Sequence, residues 1–189
     1  MNKCIRTFIG IPLSSQTRDI FKNVQNDFKN LNADVKWVQP DNIHLTLKFL
    51  GEIDPKKLRS IQDIFPSLFQ NFSRFDVTIT HLGAFPNAEK PRVIWAGITQ
   101  NAELITAVAV HLENTLANLG FPKEDKKFSP HITLGRVRSF KNIEKLSESV
   151  DTYQKLLPLN QSIDTIILFK STLTSRGSIY EQLNEARLN

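Results

Sequence analysis

The feature that most constrains the fold of this chain is a short motif that occurs twice. Residues 44–47 and 131–134 both follow the pattern His-apolar-Thr-Leu, and the two copies lie 87 residues apart. Each copy is typical of a β-strand, whose successive side chains point to opposite faces. The histidine and the threonine of a copy therefore share one face. If the two strands are neighbours, two imidazoles and two hydroxyls converge on a site the size of a phosphate group.

The chain around the motifs repeats as well. A shift of 87 residues places residues 7–11 on residues 94–98 and matches both glycines and the isoleucines that follow them. A shift of 88 residues places residues 75–79 on residues 163–167. Both halves then have the order strand, helix, histidine strand, helix, strand. This order predicts that residues 1–189 form a single domain of two related lobes, each with one of the paired histidines.

Hydrophobic spacing predicts the remaining elements. Asp54 is expected to cap a helix whose first residue is Pro55. Apolar stripes predict three further helices, of which the second stripe begins at Leu104 and the third ends at Leu157. Four helices and about six to eight strands in this order give an α+β fold in which antiparallel sheets are flanked by helices. Besides the two motif strands, strands are expected over residues 5–11, 75–82, 92–98, 162–170 and 178–183.

The composition narrows the class of protein. The chain has 24 Lys and Arg against 19 Asp and Glu, a net charge of +5, which favours an anionic ligand without identifying a nucleic acid. Its one cysteine, Cys4, rules out an intrachain disulfide and fits a reducing compartment. No segment approaches the roughly 18 consecutive apolar residues of a membrane span, and the first residues lack the apolar run of a signal peptide. We expect a cytoplasmic monomer without membrane attachment.

The other histidines have structural interpretations. His81 is in phase with the apolar residues of the strand 75–82, which predicts a core histidine with a satisfied ring. His111 lies beside the buried stripe of a helix, at its boundary with solvent. Three aromatic residues near the motifs could stack on a nucleic-acid base, although core packing is the favoured interpretation for them: Phe8, Phe49 and Trp95.

The sequence resembles the 2H phosphoesterase superfamily in residues 6–12 and in residues 37–51, which contain the first motif. Further segments resemble its RNA 2′,3′-cyclic phosphodiesterase branch, also called 2′-5′ RNA ligases, and extend the resemblance to nearly the whole chain: residues 82–86, 91–95, 128–136 and 171–180. This resemblance implies two lobes around a V-shaped cleft, with the motifs facing each other across it. It also implies hydrolysis of cyclic phosphate ends without a metal or another cofactor.

Ring opening of a 2′,3′-cyclic phosphate needs an activated water, a protonated leaving oxygen and stabilisation of the charged oxygens on phosphorus. We assign His131 as the base on water and His44 as the acid on the ribose oxygen, although the symmetry of the motifs makes these roles nearly interchangeable. Thr46 and Thr133 are expected to hold the non-bridging oxygens. The resemblance implies that the 3′ oxygen leaves and that the phosphate remains on the 2′ position.

Two cations complete the candidate site. Strict alternation places Lys48 on the face of His44 and Thr46, where it could contact a phosphate; a solvated lysine at the cleft edge is an equally good interpretation. Arg136 matches a family position near the substrate. Alternation from His131 would turn it to the opposite face, so its role requires a β-bulge near Gly135.

Three alternatives stay open. A metal site that combines His44 and His131 with His81 or His111 is disfavoured, because carboxylate and cysteine partners are absent near both motifs. A non-catalytic RNA-binding module would explain the positive charge but would not need two histidine motifs. Within the superfamily, the substrate could instead be a 2′,5′-linked oligonucleotide, a small nucleotide cyclic phosphate or, by reversal, two tRNA fragments to be joined.

Overall fold

The described strands form one antiparallel sheet in the structure, a computed structural model that describes residues 4–153, 158–175 and 177–189. Two short 3₁₀ turns, Pro40–Asn42 and Pro66–Phe69, interrupt the loops. The α+β class is confirmed. The regular elements in chain order are β1 (Ile5–Pro12), α1 (Ser15–Lys29), β2 (Val35–Trp37), β3 (His44–Ile53), α2 (Pro55–Ile64), β4 (Phe75–Phe85), β5 (Val93–Gln100), α3 (Ala102–Ala117), β6 (His131–Val137), α4 (Ile143–Tyr153), β7 (Leu159–Ile163), β8 (Thr165–Thr174) and β9 (Gly177–Arg187).

The four predicted helices are present among the described residues, whereas the strands number nine there and exceed the prediction. The short strand β2 was not predicted, because three residues are too few to show a period. The predicted strand over residues 162–170 is two strands, β7 and β8, separated by Asp164. The chain passes here from the edge strand β7 to β8, which lies next to the opposite edge strand, and no glycine or proline marks the change.

The two motif strands meet at the centre of the sheet. The strand order is β7-β4-β5-β6-β3-β1-β8-β9, with β2 paired to β6. The first half of the sheet is therefore β3, β1, β8 and β9, and the second half is β7, β4, β5 and β6 with β2. The halves join where Leu45 of β3 lies opposite Ile132 of β6.

Each half of the sheet is covered by a helix from the other half of the repeat. Helix α1 follows β1 but lies on the second half, where the Gln25 side-chain amide donates to the carbonyls of Val38 (2.8 Å) and Leu134 (3.0 Å). Helix α3 follows β5 but packs against β3 in the first half. The buried residues of both halves belong to one continuous hydrophobic cluster. The two lobes are thus interlocked.

The helix ends and faces follow the predictions with one exception. Asp54 caps α2 by accepting from the amides of Lys56 (2.8 Å) and Lys57 (3.0 Å), as expected. Leu104 was predicted on the buried stripe of α3 but is 40% exposed, because the buried face of that helix begins one residue later at Ile105. Leu157 lies outside the described residues. No helix of the described ranges is both long and apolar enough to cross a membrane.

Candidate active site

The register of β3 and β6 brings the two motifs together. Leu45 and Ile132 lie opposite each other and are fully buried, so both point away from the cleft into the core. In an antiparallel pair, opposite residues share a face. The same register therefore places His44 opposite Thr133, and Thr46 opposite His131, on the face that lines the cleft. The condition on which the sequence prediction depended, neighbouring motif strands, is met.

Both imidazoles are held by the same backbone contact. The Nδ1 atom of His44 lies 2.7 Å from the carbonyl of Asn42, and that of His131 lies 2.8 Å from the carbonyl of Ser129. A carbonyl oxygen can only accept, so Nδ1 carries a hydrogen in both rings and Nε2 is the reactive nitrogen. In His44, Nε2 lies 2.9 Å from the Thr46 hydroxyl, which donates to it when the ring is neutral.

A β-bulge interrupts β3 at the last residue of the motif. Thr46 lies opposite Gly10 of β1, whereas Lys48 lies opposite Ile9, so Leu47 is an extra residue without a partner. Alternation starts again from a shifted phase beyond a bulge. Leu47 and Lys48 consequently both face the core.

This bulge corrects the prediction for Lys48, which does not share the cleft face with His44. Its side chain is 1% exposed, and Nζ donates to a Glu113 carboxylate oxygen at 2.6 Å and to the Pro122 carbonyl at 3.1 Å. Both interpretations offered for it, a phosphate contact and a solvated lysine, are wrong. Phe49 takes the cleft position instead, and its ring is 44% exposed.

The second motif strand has a bulge at the equivalent position. Thr133 lies opposite Trp95 and Gly135 lies opposite Ile94, so Leu134 is the extra residue. The required bulge near Gly135 is therefore present. It turns Arg136 to the cleft, where this residue lines the same cavity as Thr133.

The cleft holds a cavity of about 190 Å³ beside the motifs. His44, Thr46, Thr133 and Arg136 all contribute to its wall, and His131 lies next to it rather than in its lining. Several further residues of the wall were not predicted, because they come from β2, the turn after it and the β8–β9 hairpin. These residues are Lys36, Trp37, Val38, Gln39, Asn42, Gly177, Ser178 and Tyr180.

The surroundings of the two histidines differ. The ring of His44 is surrounded by Phe8 (4.7 Å between centroids), Tyr180 (5.3 Å) and Phe169 (6.1 Å). Loss of hydration in this aromatic cluster lowers the pKa of His44, and the hydrogen bond to the Asn42 carbonyl offsets part of that effect. The ring of His131 meets the edge of Phe85 at 5.1 Å. Of the three aromatic residues assigned to core packing, Phe8 is fully buried and Phe49 lines the cleft.

His81 lies on the cleft face, and the prediction that it is a core histidine is wrong. A bulge at Thr80 leaves Ile79 opposite Ile98 but His81 opposite Gly97, which turns the imidazole away from the core. The ring occupies the space above Gly97, where an added Cβ would lie 2.3 Å from it.

Trp95 and His111 are both half-buried and contact other aromatic rings. The Trp95 ring is half-buried; it stacks on Phe85 at 4.9 Å and meets the edge of His81 at 5.4 Å. His111 is half-buried on α3 with its ring 5.4 Å from that of Phe72, which confirms its predicted boundary position. Within the described ranges, no three His, Cys, Asp or Glu side chains form a group that could hold a metal ion.

The fold and the paired motif strands define a phosphoesterase of the two-histidine class. The protein TT0787 of Thermus thermophilus has the same fold, with a TM-score of 0.80, 26% identity and coverage of 97% of each chain. The apo form of Escherichia coli LigT superposes with a TM-score of 0.78 over 98% of each chain at 23% identity. The family model described as "LigT like Phosphoesterase" matches residues 11–95 and 97–180, and the chain belongs to this family.

Curated relatives are similar over nearly their whole length. A protein of Methanothermobacter thermautotrophicus is 32% identical over 97% of this chain and 99% of its own. A protein of Methanocaldococcus jannaschii is 33% identical over 96% and 99%. A protein of Thermotoga maritima is 33% identical over 97% and 95%. Each of the three is named RNA 2′,3′-cyclic phosphodiesterase.

Proposed function

We propose that this protein hydrolyses 2′,3′-cyclic phosphate ends of RNA to 2′-phosphate ends. The observation that carries the proposal is the matched pair of imidazoles on neighbouring strands, each with Nδ1 fixed by the carbonyl two residues before it. Both reactive Nε2 atoms then belong to the face on which the two threonines lie. The names of the relatives supply the substrate class.

In the proposed mechanism, His131 Nε2 removes a proton from water as the water oxygen bonds to phosphorus. The bond from phosphorus to the 3′ oxygen breaks, and His44 Nε2 donates its proton to that oxygen. Thr46, Thr133 and Arg136 stabilise the charge on the non-bridging oxygens. Burial lowers the pKa of His44, so its imidazolium form, once protonated, is a stronger acid toward the leaving oxygen.

The assignment of acid and base can be tested with the leaving group. His44→Ala and His131→Ala should each reduce turnover of an oligoribonucleotide 2′,3′-cyclic phosphate by about 10²–10⁴-fold. A substrate with sulfur at the 3′ bridging position releases a thiolate, which leaves without a proton donor. We expect this substrate to restore turnover to His44→Ala and not to His131→Ala; restoration of His131→Ala alone would reverse the roles.

Two controls separate this reaction from its rivals. Activity should persist in excess EDTA, and a loss that zinc or magnesium reverses would indicate a metallohydrolase instead. Phosphorus NMR against authentic 2′- and 3′-monophosphates should identify a 2′-phosphate product. If the protein binds RNA without hydrolysing it, and neither histidine variant changes the binding, the protein is a binding module.

Ligation would use the same ring opening with a different nucleophile. A terminal 5′ hydroxyl in place of water would attack phosphorus, and the ring-opened product would be a 2′,5′-linked RNA. Incubation of two tRNA fragments at high concentration, with analysis of the junction, tests whether the protein also catalyses this reaction.

A further inference from the structure

A third imidazole lies on the cleft face beside His131. His81 of β4 lies opposite Gly97 of β5, and Gly97 in turn lies opposite His131 of β6. Opposite residues of an antiparallel pair share a face, so His81 and His131 point to the same side of the sheet with one strand between them. The proposed hydrolysis does not use His81, although its half-buried ring can accept or donate a hydrogen bond.

The glycine between the two histidines lets the His81 ring reach toward His131. The Cε1 and Nε2 atoms of His81 both lie 2.3 Å from the position that a Cβ of residue 97 would occupy. The Cβ positions of opposite residues are about 5 Å apart. Nε2 of His81 therefore lies over β5, within roughly 8 Å of the His131 Cβ atom. A water molecule on His131 Nε2 is then within reach of His81 Nε2.

The two nitrogens of the His81 ring have different surroundings. Nδ1 lies 3.2 Å from the hydroxyl oxygen of Thr80, whereas Nε2 forms no hydrogen bond with any residue that the structure describes. When Nδ1 carries the hydrogen and donates it to this hydroxyl, Nε2 is an acceptor. His44 and His131 have the same tautomer. An acceptor at this position needs a donor from the cleft, and water is one.

The first half of the repeat has an apolar side chain at the equivalent position. Gly10 is the equivalent of Gly97 under the 87-residue shift, and Ile167 of β8 lies opposite it. Ile167 is buried and has no polar side-chain atom. The side of the cleft that carries His131 therefore has an additional hydrogen-bonding group, and the equivalent position on the side of His44 lacks one.

The proposed ring opening places the nucleophile on the side of His81. The attacking and leaving oxygens lie roughly in line through phosphorus. Because His44 is assigned to the leaving oxygen, the attack comes from the side of β6, where His131 lies and His81 lies beyond it. A water that gives one proton to His131 keeps a second O–H, and this O–H can donate to His81.

We propose that His81 Nε2 accepts a hydrogen bond from the attacking water and so selects water over an alcohol. One O–H of the water passes its proton to His131 as the oxygen bonds to phosphorus, and the other O–H donates to His81. The bond from phosphorus to the 3′ oxygen breaks, and His44 gives its proton to that oxygen. An alcohol gives its single O–H to His131 and leaves His81 Nε2 unpaired, which a site built for the hydrogen bond disfavours.

This inference rests on the proposed function and deepens it. A ribose hydroxyl is an alcohol, so the same residue sets the balance between hydrolysis and ligation. His81 is then a specificity-determining residue for the nucleophile, whereas the two motif histidines serve either nucleophile equally.

The test lets water and methanol compete for one substrate. An oligoribonucleotide with a 2′,3′-cyclic phosphate end is incubated in aqueous methanol, and mass spectrometry measures the rates at which the 2′-phosphate and its methyl ester form. His81→Phe keeps an aromatic ring above Gly97 and removes the acceptor. We expect this variant to lose about tenfold in hydrolysis, the effect of one hydrogen bond, and to keep its rate of methanolysis. The ratio of ester to acid should therefore rise about tenfold.

Three further variants control for effects on the fold. His81→Gln retains an acceptor oxygen and should keep the ratio of the wild type. His111→Phe, on α3 against Phe72 and outside the cleft, is the matched control and should change neither rate. If His81→Phe does not fold, His81→Ala replaces it with the same expected ratio.

The inference and the proposed function fail in different ways. If the wild type forms neither product, the proposed function fails and the role of His81 fails with it. If the wild type hydrolyses the substrate and His81→Phe leaves the ratio unchanged, whether both rates fall equally or neither falls, only the inference is overturned. A methyl ester that stays below detection in His81→Phe, or equal ratios in His81→Gln and His81→Phe, would overturn it as well.

Discussion

At the scale of single residues, two backbone carbonyls decide what the site can do. The carbonyls of Asn42 and Ser129 fix one tautomer in each motif imidazole and leave Nε2 as the nitrogen that can accept or donate a proton. The rings then differ through their neighbours, since aromatic side chains desolvate His44 and lower its pKa. Two similar groups in unlike surroundings are the usual basis for separate acid and base roles.

The contribution of the aromatic cluster to the pKa of His44 can be measured. We expect Tyr180→Ala to admit water to the ring and to raise the pKa of His44 toward the unperturbed value of about 6.5. An NMR titration of the His44 Cε1 proton reports this pKa directly. The matched control is Ile179→Ala, whose side chain is 60% exposed, and it should leave the titration unchanged. A lower pKa in Tyr180→Ala would contradict the assigned cause.

Alternation along a strand predicts the face of a side chain correctly before a β-bulge and incorrectly after it. The motif residues His44, Thr46, His131 and Thr133 precede the bulges, so simple alternation assigns their face. Lys48 and His81 follow bulges at Leu47 and Thr80, and simple alternation assigns both of them to the wrong face of the sheet. A bulge is set by the register with the neighbouring strand, which hydrophobic spacing within one segment does not contain.

At the scale of the strand, the equivalent bulges of β3 and β6 make the two ends of the cleft chemically different. Phe49 and Arg136 occupy the same position, three residues after the threonine of each motif, and both line the cavity. One is aromatic and the other cationic. A symmetric pair of strands thereby presents an asymmetric wall, which is what an asymmetric nucleotide requires.

The Lys48 ammonium that follows the bulge in β3 is buried and forms an ion pair with Glu113, and this pair can be tested by its effect on stability. Glu113→Ala leaves the Lys48 ammonium buried without its partner and should reduce the free energy of unfolding by about 3 kcal/mol. The double variant Lys48→Met, Glu113→Leu removes both charges and should recover most of that loss. Urea unfolding with linear extrapolation measures both effects.

The exposed pair between Lys170 and Glu181 provides the control for this prediction. Their side chains are 37% and 60% exposed, so Glu181→Ala should reduce the free energy of unfolding by less than about 1 kcal/mol. Equal losses in Glu113→Ala and Glu181→Ala would show that burial of Lys48 has no energetic role. A double variant no more stable than Glu113→Ala would show the same.

At the scale of the whole molecule, the exchange of helices couples the two lobes. Helix α1 seals the second half of the sheet and α3 packs against the first, and the hydrophobic cluster runs through both. The sequence predicted the number of helices and the class of fold from local spacing. It did not predict this exchange, because the half of the sheet that a helix covers depends on contacts between distant segments.

This coupling predicts a single cooperative unfolding transition. Exposing either half of the core also exposes the helix face that covers the other half, so no intermediate with one intact lobe should accumulate. Differential scanning calorimetry should give equal calorimetric and van't Hoff enthalpies. Fluorescence of Trp37 and Trp95, both in the second half, should change at the same temperature as amide exchange in β1 and β8. Two separated transitions would mean that the lobes are independent.

The pairing of β1 with β8 also determines how late in synthesis the sheet can be completed. A ribosome releases β1 and the first motif strand early, yet the strand that flanks β1 begins at Thr165, near the end of the chain. Tyr180, which shields His44, emerges later still. The nascent chain therefore exposes an incomplete sheet edge for most of translation, and the aromatic cluster around His44 is complete only when the last strands are released.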